Sequence, residues 1–257
     1  MIIKPFNACH LGLLAFVVVA IAVISLLLKN KSEKTKKIVL ISLCAFNVIV
    51  FFVYKVALSL DQEFLTAKQI DAFNWFDELP LQLCNINMFL IPLGLLWKKR
   101  AILSFSFYLA PLGALMAMIF PEPMFQGYDF FVPRICGFYM THAIIILCGI
   151  LIATLGFYRP QFKDFPWIAL TFILLALGAL LFNFILRATG LCSFANYFFT
   201  CEDGGVSLLH LFWSWIPIPF IYELPALVIL FVYVEIITCA FKLFEKKEKK
   251  EESSSNV

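Results

Sequence analysis

Charge is scarce in this chain. Only 14% of its 257 residues are Asp, Glu, Lys or Arg, and 62% are hydrophobic; a soluble domain carries about a quarter charged residues and about half apolar ones. The shortage excludes a water-soluble globular fold, because 30 phenylalanines need more cover than a core of this size supplies. A net charge of +3 excludes the basic footprint of a nucleic-acid partner. Histidine is sparse too. The three histidines have no i,i+3 or i,i+4 spacing and no neighbouring carboxylate, so no metal centre is expected. No Gly-rich phosphate loop or dinucleotide motif is present, so no cofactor is expected. Eight cysteines are present, but Cys44, Cys148 and Cys239 sit inside apolar runs, which excludes a disulfide framework. Only Cys192 and Cys201, in one loop, are placed to pair.

What the chain has in abundance is long apolar runs. A bilayer core about 30 Å thick needs roughly 20 apolar residues at about 1.5 Å each. Seven stretches meet or approach that length: Leu11–Leu28, Ile38–Leu60, Leu79–Trp97, Ala101–Phe120, Ile135–Phe157, Phe165–Leu186 and Tyr222–Leu243. The fold class expected is therefore all-α: a polytopic membrane bundle of about seven transmembrane helices over residues 1–244. A charged, disordered cytoplasmic tail is expected over 245–257. The first run is too long for a signal-peptide core, and its positive charge follows rather than leads. Lysine and arginine crowd alternate loops, at Lys29–Lys37, Lys98–Arg100, Arg159–Lys163 and Lys242–Lys250. The other loops carry Asp61, Glu63, Asp71, Asp77 and Glu78, then Glu122 and Asp129, then Glu202 and Asp203. Basic loops stay cytoplasmic, so the N-terminus is expected outside and the C-terminus inside. Leu208–Ile221, with Pro217 and Pro219, is too short and too proline-broken to span. It reads as an interfacial or re-entrant segment with Trp213 and Trp215 at headgroup depth.

Under that topology the polar residues gather towards the outer half. Helical spacing from Glu78 puts Cys84 about 9 Å below the outer end, and His142 about 12 Å down its own helix. His10, His210, Asn183 and Arg187 lie on the same side. Pro80, Cys84 and Asn87 would share one helix face, with Gln82 and Asn85 opposite. Buried amides commonly hold helices together, and a lone membrane cysteine is commonly an apolar filler. A thiol and an imidazole at matching depth, however, are a nucleophile and its base. Glu235, deeper in the last span, is an intramembrane carboxylate and a functional candidate by placement. A solute carrier with a polar outer cavity is the alternative of another class, and a non-catalytic membrane subunit is the bland one. The one internal repeat, Glu78-Leu79-Pro80 against Glu223-Leu224-Pro225, is too short to argue for a duplicated carrier.

Four stretches carry a family resemblance: Phe6–Leu13 (FNACHLGL), Leu79–Leu90 (LPLQLCNINMFL), Phe138–Ile145 (FYMTHAII) and Asn196–Leu209 (NYFFTCEDGGVSLL). On these the chain resembles the YwaF-type bacterial integral membrane proteins and, more distantly, vertebrate transmembrane protein 164. Gln82 stands where the bacterial pattern often has a histidine. The vertebrate relative is regarded as a cysteine-dependent acyltransferase of ether lysophospholipids, similar in architecture to the androgen-induced lipid hydrolases. The resemblance implies Cys84 as nucleophile and His142 as its base. Asn87 is then expected to donate to the oxyanion, and Gln82, His10, Asn183, Asn196 and Tyr197 to line the substrate site. The expected partners are membrane lipids, and the expected location is the plasma (cytoplasmic) membrane.

Overall fold

Each long helix starts where the sequence supplies a partner for its free amides. Asn7 accepts from the His10 N–H ahead of α1 (Ala8–Leu28), Ser32 accepts from Thr35 ahead of α2 (Glu33–Ser59), and Pro133 opens α6 (Pro133–Thr154), where its missing donor costs nothing. The computed structural model describes the backbone of residues 1–255 and the side chains of all of these except Pro123 and residues 247–255. The remaining helices are α3 (Gln62–Lys68), α4 (Asn87–Trp97), α5 (Arg100–Ile119), α7 (Phe165–Ala188), α8 (Ser207–Trp215) and α9 (Ala226–Ser255). Six of them, α1, α2, α5, α6, α7 and α9, are long and apolar enough to cross a membrane.

Side-chain contacts sort the helix ends. At one end lie the C-termini of α1 and α6, joined by Ser25 to Thr154, and the turn between α4 and α5. Arg100 of that turn holds Asp164, just ahead of α7, through a bidentate pair at 2.9 and 2.7 Å. Arg159 reaches Glu245 of α9 here as well. At the other end the chain start pairs with residues 127–130, Arg134 of α6 grips Asp61 and Glu63 beyond α2, and the α7–α8 loop meets residues 76–82. The chain therefore passes between the two ends seven times, and its start and the end of α9 lie at opposite ends. α6 is the central helix: 72% of its apolar window is buried, against 11% for α1. The exposed Leu, Val and Phe side chains of α1, α7 and α9 form an apolar outer wall that only lipid suits.

One expectation needs correction. The third crossing is not a helix from Leu79. Residues 79–86 are a chain of turns, and α4 begins at Asn87. Short polar side chains offer the backbone competing partners: Asn87 Nδ2 donates to Leu83 O at 2.8 Å, while Gln82 Oε1 is drawn away to accept from Phe198 N–H. Cys84 and Asn87 thus do not share a regular helix face with Pro80. Irregular backbone at this depth is tolerated because it is buried in protein. Residues 245–255 continue α9 as helix, which their Glu and Lys content favours. Asn256 and Val257 lie outside the described residues. The α8 segment does stop short of a span. It is a nine-residue helix with Trp215 exposed.

Candidate functional site

The irregular turn 82–86 matters because of what it delivers. It ends in hydrogen bonds from Ile86 N–H to Gln82 O, Asn87 N–H to Cys84 O and Met88 N–H to Asn85 O. Cys84 therefore sits in a helical first turn whose leading amides have no partner upstream. The main-chain N–H groups of Cys84 and Asn85, beside the sulfur in the chain, are among those leading amides. α5 passes close behind, where a Cβ at Gly113 would lie 3.6 Å from that of Cys84. On the other side stands α6. The sulfur lies 3.6 Å from His142 Nε2, nine residues beyond Pro133 and about 14 Å along the helix.

The histidine's protonation pattern follows from its other nitrogen. His142 Nδ1 lies 2.7 Å from the Phe138 carbonyl. A carbonyl only accepts, so Nδ1 carries the proton and Nε2 offers its lone pair to the thiol. Phe138 also packs its ring against the imidazole, centroids 4.5 Å apart, which fixes the ring plane. His142 is buried, and Cys84 keeps partial exposure.

The other residues singled out in the sequence have different tasks. Asn87 is fully buried. Its amide is committed to Leu83, and its Oδ1 has no partner, so it is not poised to donate at Cys84. His10 is spent on structure: Nδ1 accepts from Phe6 N–H, so Nε2–H donates to Met118 O at 3.0 Å. Asn183 clamps the α7–α8 loop through Tyr197 N–H, Tyr197 O and Thr200. Asn196 closes the same loop onto Cys201 and Glu202. Tyr197 Oη donates to Phe76 O at 2.7 Å and accepts from Leu79 N–H at 2.9 Å. Gln82 reaches the loop at Phe198. These four residues tie the α7–α8 loop together and to the segment 76–82. Phe198 and Phe199 are held at φ of 57° and 61°, a conformation bulky residues adopt only when their surroundings over-determine it. Cys192 and Cys201 are both free thiols. Glu235 is half-buried near Tyr108 and has no hydrogen-bond or ion-pair partner among the described residues.

One group escaped the sequence reading. Lys55 is buried in α2 and bonds Glu78, which Lys68 also holds at 2.6 Å; Lys68 pairs with Asp77 as well. Burial pushes the Glu78 carboxyl up, but the two ammonium groups outweigh it and leave it below the ordinary range. Burial wins at Asp77, whose carboxyl is raised despite Lys68. A lone cation within the apolar run Ile38–Leu60 was the signal available, since an ionisable residue at that depth demands a partner.

The family model for the TMEM164 family matches residues 5–238, which takes in α1 to α8, the start of α9, the 79–86 turn and the α7–α8 loop. The chain belongs to the TMEM164 family. No curated protein and no solved structure matches it. Within this TMEM164-family chain, the stretches around His10, Cys84, His142 and Asn196 fall inside the matched residues, and the end of α9 falls outside them.

Proposed function

We propose that this protein is a membrane-embedded lipid acyltransferase or acyl hydrolase with Cys84 as nucleophile and His142 as general base. The observation that carries the reading is the thiol at 3.6 Å from an imidazole nitrogen whose opposite nitrogen is fixed as the proton carrier by Phe138 O. His142 Nε2 takes the thiol proton as sulfur attacks the ester carbonyl. The C–O bond of the ester then breaks, the leaving alkoxide takes that proton back, and a thioester remains on Cys84. A lysolipid hydroxyl or water, deprotonated by the same nitrogen, releases the acyl chain. The oxyanion is stabilised by the main-chain N–H groups of Cys84 and Asn85, not by Asn87. A preformed pair of amides is the usual means for such a charge.

The proposal includes the setting. The substrates are membrane phospholipids or lysophospholipids, reached from the outer leaflet of the plasma membrane, with the N-terminus outside and the C-terminus in the cytoplasm. The alternation of basic and acidic loops supports that orientation. The YwaF-type bacterial proteins are proposed as close kin. The test uses purified protein in lipid and a labelled acyl donor. Cys84→Ser and Cys84→Ala should abolish transfer while the protein still folds, and His142→Gln should slow it about 10² to 10⁴-fold. Full activity in Cys84→Ala ends the reading. Solute binding that survives Cys84→Ala but fails in a Glu235 or Asn183 variant favours a carrier instead.

A further inference from the structure

The end of the bundle opposite the Cys84 approach holds an open cleft of about 420 Å³, bordered by the start of α2, the α4–α5 turn and the end of α6. Its wall is divided by chemistry. Leu95 and Phe157 give an apolar side, and Lys36, Lys37 and Lys98 bring three cations, against one acid, Glu33. Arg100 also lines it, but its guanidinium is committed to Asp164, to Arg159 O and to the face of Tyr158. The three lysines are different. Among the described residues none of them has an ion-pair or side-chain hydrogen-bond partner.

Loop lysines at this end are expected from topology alone, and Lys29, Lys31 and Lys34 serve as that background. They do not line the cleft, whereas Lys36 and Lys37 do and are half-buried. Lys98 is exposed and Glu33 is the one carboxylate beside them, so the lining lysines carry positive charge in excess, and an anion in the space between them relieves their repulsion. The apolar wall beside them suits a ligand that joins an anion to hydrocarbon. The volume is that of a small-molecule site.

We infer that this cleft binds a phosphate-bearing anion, with Lys36, Lys37 and Lys98 as its cationic contacts and the Leu95–Phe157 side receiving apolar matter next to the phosphate. The site is separate from the Cys84 chemistry and stands whether or not that chemistry is correct. The phosphate comes either from an anionic phospholipid or from a soluble phosphate compound, and the experiment separates the two.

Purified full-length protein in detergent is titrated with phosphatidylglycerol, with phosphatidylcholine, and with inorganic phosphate against chloride at constant ionic strength, reading thermal stability and, for lipid, retention in native mass spectrometry. Saturable stabilisation by phosphatidylglycerol and not by phosphatidylcholine assigns the source to a lipid headgroup. Saturable stabilisation by phosphate alone assigns it to a soluble anion. In either case Lys36→Gln/Lys37→Gln/Lys98→Gln should weaken binding at least about tenfold, while Lys29→Gln/Lys31→Gln/Lys34→Gln should not. If the triple variant does not fold, single Lys37→Gln and Lys98→Gln variants are read instead, with Lys37→Arg restoring binding. No saturable response to either phosphate probe, or equal losses in the lining and background variants, overturns the inference.

Discussion

Cys84 and His142 meet because two segments with different backbones converge on one point, and the fit depends on small residues nearby. Gly137 lies one turn before His142 on α6. A Cβ there would sit 2.2 Å from Tyr54 Cβ and 2.5 Å from its Cγ on α2. Those are not the free end of a flexible side chain, so the helices must part. Gly137→Ala should destabilise the protein by roughly 1–3 kcal/mol, visible as a lowered Tm in lipid, and should move His142 with its helix; an unchanged Tm would mean the approach is looser than described. At this scale the sequence was informative about identity and poor about task. Cys84 and His142 were legible because thiol and imidazole are rare at matching depth. The amides of Asn183, Asn196 and Gln82 were not, because an amide that lines a substrate site and one that caps a loop look alike in sequence. Only the backbone groups opposite them decide, and those lie 5 to 116 residues away in the chain.

Among elements, the turn 79–86 and the loop 196–205 are one mechanical unit. Tyr197 receives Leu79 N–H and holds Phe76 O, so Tyr197→Phe leaves a largely buried N–H without its acceptor. A loss of about 1–3 kcal/mol is expected, together with slower modification of Cys84 by lipid-soluble thiol reagents if the turn loses its shape. Equal reactivity in the variant would separate the loop from the site. Glu78 anchors the other side of that turn to Lys55 and Lys68. Glu78→Gln strands the buried Lys55, at a cost of the order of 3 kcal/mol. Its folded-state carboxyl lies below the ordinary range, so its stabilisation is present above the unfolded value of about 4.3 and is lost as pH falls through the folded one. The Tm gap between wild type and Glu78→Gln should therefore be full at neutral pH and close as pH drops below about 4; a gap that persists there would contradict the pairing. Apolar run length located six long helices and the α8 segment, because lipid imposes a length on any crossing. It failed at the start of the run Leu79–Trp97, over Leu79–Ile86, where composition allows a helix but Asn and Gln side chains bond the backbone instead.

For the whole molecule, the all-helical membrane class was the most legible property, since it rests on apolar length counted run by run and not on any single contact. Reporters fused at the two termini should fall on opposite sides of the membrane, the C-terminal one in the cytoplasm; both on one side would contradict seven crossings. The cleft at the basic end was not legible, because its walls come from three separate hairpins whose packing no local pattern reveals. The central claim is that the bundle exists to hold one thiol, one imidazole and two amides at a lipid ester. Peptide mass spectrometry of purified protein incubated with an acyl-ester phospholipid tests it most directly. The account predicts a hydroxylamine-sensitive acyl adduct on Cys84, absent from Cys84→Ala and slower to form in His142→Gln. Acyl transfer with no adduct on Cys84, or an adduct that forms at the same rate without His142, would contradict it.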